Sequence, residues 1–186
     1  MYGGHYPPLA FGATSRPPPL RFEDRAGRTI DLRAYGDGPA DDEFEALVEC
    51  YLTFAPRHRS LGLPPADEER IRVWQDTILA GPCVVAWHGD RAVGQAVLVP
   101  DGRGDHEFAI FVHQDYHGAG IGTQLTHAVL AYGRERGVDR VWLLVEGSNR
   151  DAVTLYREVG FILTDRRGPE LEMALTMEPP TAVAPA

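Results

Sequence analysis

The chain has 186 residues, enough for one domain with a substantial core and too few for two ordinary ones. Its formal net charge is −9, and all 18 basic residues are arginine, since no lysine occurs. That balance argues against nucleic acid as the main partner and favours cationic substrates. No apolar run approaches the roughly 18 residues of a membrane span, so no membrane partner is expected. The start, MYGGHYPPLAFG, lacks a basic region followed by a long apolar stretch, so no signal peptide is read and a cytoplasmic location is expected. The two cysteines, Cys50 and Cys83, read as buried free thiols. The lysine-free, acid-rich composition suggests adaptation to high internal salt, which requires stability that rises steeply with KCl.

Residues 1–20 carry Gly3-Gly4, Pro7-Pro8 and Pro17-Pro18-Pro19, and are expected to be a flexible N-terminal segment ahead of a domain at 21–177. Residues 28–35 alternate Ile30, Leu32 and Ala34 with polar partners, as a half-buried strand does. Asp41 or Asp42 caps a helix bearing Phe44, Leu47, Val48, Tyr51 and Leu52, which Pro56 stops. A loop at 56–65 follows, with Arg57, His58 and Arg59. Asp67 starts a second helix through Ile71, Trp74, Ile78 and Leu79, closed by Gly81-Pro82. Strands at 83–88 and 91–99 form a hairpin through Gly89-Asp90.

Next comes HEFAIFVHQDYHGAGIGTQL, residues 106–125: an apolar strand, Phe108 to Val112, then Gly118, Gly120 and Gly122 opening directly into a helix. N–H groups of a first helical turn lack intrahelical partners, and glycines let an anion approach them closely. Gly137 is the expected C′ residue of that helix. The strand 140–146 is the natural parallel neighbour of 107–112. Ser148 or Asn149 caps a short helix, with Asp151 placed as in a capping box. Gly160 ends that helix, a final hairpin turns at 167–169, and a flexible tail is expected at 178–186.

Strand, glycine turn, helix, strand and Glu146 also outline a dinucleotide-binding unit, but the spacing disagrees. Five residues, His113 to His117, separate strand from glycine, and Thr123 fills the place of the third glycine. A P-loop is excluded by the absence of lysine.

The runs IFVHQDYHGAGIGTQL and WLLVEGSNRDAVTLYREVGF together resemble the acetyl-CoA-binding core of the Gcn5-related N-acetyltransferase (GNAT) superfamily, with a hint of its protein-lysine members. That family carries a strand, an R/Q-x-x-G-x-G/A turn and a helix, then a strand, an N-x-x-A-x-x-L-Y helix and G-F. The resemblance covers about 28–177. It departs at His117, which stands where the family has arginine or glutamine. The resemblance implies an α/β (α+β) single domain: a mixed sheet of about seven strands, a splayed parallel pair, and helices on both faces. It also implies that acetyl-CoA binds as cosubstrate along Ile110, Phe111 and Val112. Its pyrophosphate would rest on His117, Gly118, Ala119, Gly120, Ile121, Gly122 and Thr123, with Asn149 and Tyr156 toward the thioester.

An amine attacks a thioester only when unprotonated, and a lysine-type amine has a pKa of about 10.4, so a general base is required. Glu107, at the entrance to the central strand, is the candidate base, since the resemblance to protein-lysine members of the family implies a catalytic glutamate there, with Glu146 in reserve. Tyr156 is the candidate proton donor to the leaving thiolate. His106, His113 and His117 straddle strand and loop without a nearby cysteine, and no metal site is expected. The expected activity is acetyl transfer to a primary amine, a protein lysine or a small cationic amine, in a ternary complex. The alternative is a non-catalytic acyl-CoA sensor. Monomer and homodimer are both compatible with this reading.

Overall fold

The computed structural model describes residues 15–59 and 63–177. Of the flexible segment expected at 1–20, residues 1–14 lie outside the described residues, as does the tail expected at 178–186, and Leu20 opens a strand. Eight strands form one sheet: β1 (Leu20–Glu23), β2 (Thr29–Ala34), β3 (Cys83–His88), β4 (Arg91–Pro100), β5 (His106–Val112), β6 (Arg140–Glu146), β7 (Ile162–Arg167) and β8 (Glu170–Thr176). Their spatial order is β1-β2-β3-β4-β5-β6-β8-β7, antiparallel except for β5 and β6. The strand β1 is one more than the seven read from the sequence. It follows the proline run directly and earns its place by packing Leu20 and Phe22 onto the core.

Among the described residues four α-helices flank the sheet: α1 (Glu43–Leu52), α2 (Glu68–Ile78), α3 (Ile121–Arg134) and α4 (Arg150–Val159). The helices α1 and α2 cover one face of the sheet, where Leu47, Tyr51, Ile71 and Ile78 meet Val85, Trp87 and Val97. The helices α3 and α4 cover the other, with Leu125, Val129, Val153 and Val159 against Leu98, Phe108, Val141 and Leu143. Asp42 and Asp67 cap α1 and α2 as expected, their carboxylates accepting from Glu45 N and Arg70 N. Gly137 has φ +80°, and Val138 N donates to Gly133 O, so α3 ends in the left-handed turn that favours glycine.

A buried polar network pins α1 and α2 to the sheet. Tyr51 donates its hydroxyl to Gln95 Oε1 at 2.5 Å, Gln75 Nε2 donates to the same oxygen at 2.9 Å, and Gln95 Nε2 reaches Cys83 Sγ at 3.3 Å. Each polar group so deep in the core needs its partner, because an unpaired one costs about 1–3 kcal/mol. Cys50 and Cys83 are both buried free thiols, and burial pushes each up to about 12.

Parallel pairing between β5 and β6 is brief. It joins His106 to Val141 and Glu107 to Trp142, and beyond that the two strands part.

Candidate active site in the strand gap

The parting strands open a cleft of about 460 Å³ whose lining includes Ile110, Val112, residues of the turn after β5, and Asn149 and Tyr156 from the α4 side. Its chemistry begins with backbone. His113 N donates to Val93 O at 2.9 Å. Hydrogen-bonded pairs alternate along an antiparallel ladder, so Phe111 spends its N–H and C=O on β4 while Ile110 and Val112 turn theirs into the gap. An extended amide-bearing ligand can therefore pair with Ile110 and Val112. Phe111 is a correction to the sequence reading: its backbone faces β4, and its ring stacks edge-on with Tyr51 and Trp74 on the opposite face. The fully apolar run hid the alternation that separates it from Ile110.

The glycine turn forms the mouth of the cleft. Gly118 and Gly120 have φ of +70° and +87°, which a side chain would strain, and Gly120 is the N-cap of α3. No side chain caps this helix and no acidic residue sits in its first turn, whereas α1, α2 and α4 are capped by Asp42, Asp67 and Asn149. The N–H groups of Ile121, Gly122 and Thr123 precede the first intrahelical bond, from Gln124 N to Gly120 O at 3.3 Å. Gly118, Gly120, Ile121, Gly122 and Thr123 all line the cleft, while Ala119 is buried beneath it and its carbonyl accepts from Arg25 N at 3.1 Å. The arrangement suits a pyrophosphate.

His117 also lines the cleft, but its side chain is engaged: one ring nitrogen lies 2.8 Å from Val112 O, and the ring stacks edge-on with His58 at 4.9 Å. Asn149 is committed in part. Its Oδ1 accepts from Ala152 N at 3.3 Å as the cap of α4, so only the amide nitrogen remains for a ligand. With Asn149 as cap, Asp151 falls one position early for the capping box expected from Ser148, and instead lines the cleft.

Tyr156 is 7% exposed, its ring packed against Phe108 and Phe161. Its hydroxyl makes no hydrogen bond among the described residues, and burial pushes its pKa up to about 12, so it stays protonated as a donor. Glu107 lies on the other side of the sheet. Phe108, Ile110 and Val112 belong to the α3 face and Ala109 and Phe111 to the α1 face, so alternation puts Glu107 on the latter. The same rule puts Trp142, Leu144 and Glu146 there. Glu107 stands where the strands begin to part, one residue from the Phe108 that supports Tyr156, whereas Glu146 lies toward the open end. Burial, then the nearby Asp101 carboxylate, raise the Glu107 pKa above the ordinary 4.5.

Of the loop residues singled out in the sequence, His58 reaches the glycine turn through His117. Arg59 is instead a brace, donating to the carbonyls of Phe54 at 3.0 Å and Pro64 at 2.6 Å. His106, His113 and His117 do not converge, and among the described residues no group of three His, Cys, Asp or Glu could hold a metal. Sequence reasoning missed Arg25, Tyr116, Asp151, Ala152 and Leu155, which complete the lining. Arg25 and Gly118 are 93 positions apart, and no local pattern links them.

Comparison with known proteins agrees with this geometry. Residues 44–161 match the model of the acetyltransferase (GNAT) family. The chain is 49% identical over 147 residues to the mycothiol acetyltransferase of Salinispora tropica, spanning 71% of this chain and 44% of that protein. It is 32% identical over 126 residues to the mycothiol acetyltransferase of Propionibacterium freudenreichii, spanning 65% of this chain and 40% of that protein. The chain thus covers less than half the length of these relatives. Among solved structures, the GNAT domain of S. lividans PAT superposes with a TM-score of 0.67 at 17% identity, over 85% of this chain and 96% of that one. The Salmonella typhimurium protein yncA, solved with its cofactor acetyl-CoA, gives 0.61 at 21% identity, over 82% of this chain and 96% of that one. With a family model spanning well over half of its residues and a fold to match, this chain belongs to the GNAT acetyltransferase family.

Proposed function

We propose that the chain is an acetyl-CoA-dependent N-acetyltransferase that moves the acetyl group to a primary amine by direct attack in a ternary complex. The observation that carries this reading is the cleft between β5 and β6. It joins gap-facing backbone at Ile110 and Val112, an uncapped glycine-opened helix at its mouth, and the unpartnered Tyr156 hydroxyl.

Acetyl-CoA lies with its pyrophosphate on residues 118–123 and its pantetheine along β5, which carries the thioester toward the closed end of the gap. The acceptor comes from the α1 face, where Glu107 takes the amine proton. The amine nitrogen bonds to the thioester carbon, the C–S bond breaks, and Tyr156 donates its proton to the departing sulfur. Base and acid thus stand on opposite faces of one opening. Glu146 sits nearer the entrance and is assigned no proton transfer.

The acceptor is a cationic amine, in keeping with the net charge of −9 and the carboxylates Glu107 and Glu146 on the acceptor face. The likeness to mycothiol acetyltransferases supports testing the amine precursor of mycothiol beside protein lysine. The test is incubation with acetyl-CoA and a panel of lysine peptides, polyamines, aminoglycosides, amino acids and deacetylated mycothiol, with acetylated products read by mass spectrometry. Acetylation of one acceptor class is the expected result. Tight acetyl-CoA binding with no product from any amine would instead mark an acyl-CoA sensor.

A further inference from the structure

Two features of like sign meet at the mouth of the cleft. The N-terminus of α3 presents free N–H groups and the positive end of its dipole. Arg25, on the turn between β1 and β2, is held over the same place: a Cβ on Gly120 would stand 3.8 Å from its Nε, and its Nη1 lies 3.4 Å from Gly118 O. A guanidinium beside a positive helix end is unfavourable unless an anion joins them. The position is not accidental drift of a long side chain, because the turn itself is anchored. Arg25 N donates to Ala119 O, and the buried Asp24 carboxylate accepts from Ala26 N, Arg28 N and Arg28 Nε at 2.7 to 2.9 Å. Arg28 in turn donates to Asp115 O and lies over the Tyr116 ring at 4.1 Å.

A second cavity, about 320 Å³, adjoins the first across Thr123, which lines both. Its other walls are Arg16, Leu20, Gln124 and His127. Ser15 Oγ lies 2.8 Å from His127 Nδ1, and burial lowers the His127 pKa, so the charge here comes from Arg16. Neither Arg16 nor Arg25 forms an ion pair among the described residues. Both precede residue 44, where the match to the family model begins. Among the described residues, the one carboxylate in the lining of either cavity is Asp151, on α4.

We infer that the segment ahead of β2 supplies the cationic half of the cofactor site, with Arg25 binding the pyrophosphate and Arg16 binding the ribose 3′-phosphate of CoA. The inference rests on the acetyl-CoA reading above. It explains how a chain with a net charge of −9 and a histidine where the family's turn has arginine or glutamine holds a polyanion: positive charge arrives from another strand pair.

Calorimetric titration of the full chain with CoA, 3′-dephospho-CoA and pantetheine tests it. Wild type should bind in that order of decreasing affinity. Arg25→Ala should weaken CoA and dephospho-CoA alike, by about tenfold each, and leave pantetheine unchanged. Arg25→Lys, which keeps the charge without the fork, should fall between. Arg16→Ala should weaken CoA by a similar factor and leave dephospho-CoA unchanged. Wild-type affinity for CoA in Arg25→Ala, or equal losses for both nucleotides in Arg16→Ala, overturns the inference while leaving the acetyl-CoA reading intact. Wild type that binds none of the three ligands overturns both. Unchanged thermal midpoints confirm that each variant is folded.

Discussion

The ring of His117 lies 2.8 Å from the carbonyl oxygen of Val112, so the side chain at the motif position closes onto the strand edge that faces the gap. Val112 O faces the gap left by the splay, and no neighbouring strand satisfies it. The histidine fills that vacancy in the free protein. On the acetyl-CoA reading proposed above, pantetheine pairing with Val112 would exchange one hydrogen bond for another.

Removing the ring should make this exchange unnecessary. His117→Ala is expected to bind acetyl-CoA about two- to tenfold more tightly, since the net worth of such a bond is about 0.5–1.5 kcal/mol. Direct titration checks this, and weaker binding would show instead that His117 contacts the cofactor.

For Tyr156→Phe, we expect kcat to fall about 10- to 100-fold with little change in the KM for acetyl-CoA. The phenyl ring keeps its contacts with Phe108 and Phe161, so the thermal midpoint should barely move. Wild-type turnover would reduce the residue to a packing element.

Glu107 should govern the acid limb of kcat/KM. Its pKa is raised by burial and by Asp101, so the limb lies above the ordinary 4.5, and activity rises as pH rises through the folded value. Asp101→Asn removes the repulsion and should move the limb to lower pH. Glu107→Gln should cut turnover by about 10² or more while sparing acetyl-CoA affinity. A pH profile identical to wild type in both variants would assign the base elsewhere, with Glu146→Gln the next variant to measure.

Asp24 links the arginine turn to stability. Burial alone would raise its pKa, but the N–H groups of Arg28 and Ala26 and the Arg28 guanidinium outweigh this and hold it below 3.8. A depressed carboxylate contributes stability that is present above its unfolded value and lost as pH falls through the folded one. Acid denaturation curves of Asp24→Asn should therefore lack a component below pH 3.8. The same variant should also bind CoA more weakly, because Arg25 loses its anchored turn.

Gln95→Leu should lower stability by about 2–4 kcal/mol, since it strands the Tyr51 hydroxyl and the Gln75 amide in the core. Urea titration should show a lower midpoint at unchanged slope. A neutral effect would mean that the two groups find new partners.

Local chemistry was legible in the amino-acid sequence. The helix caps at Asp42 and Asp67, the left-handed Gly137, the hairpin at Gly89-Asp90 and the glycine turn all depend on residues a few positions apart, and the Asn149-to-Tyr156 motif is equally local. What the tertiary structure decided depends on separation along the chain or on which face a side chain takes. Period-2 alternation could not be read in a strand apolar on both sides, so only the packed sheet placed Phe111 against Tyr51 and Trp74, and Ile110 against the cleft. The strand β1 was concealed by the prolines just before it until Leu20 and Phe22 met the core. Arg25 reaches the glycine turn across 93 positions of sequence, through a strand pairing whose register the local pattern does not encode. The anion-binding turn is thus written in its own residues, whereas the arginine held over it exists only once the sheet has formed.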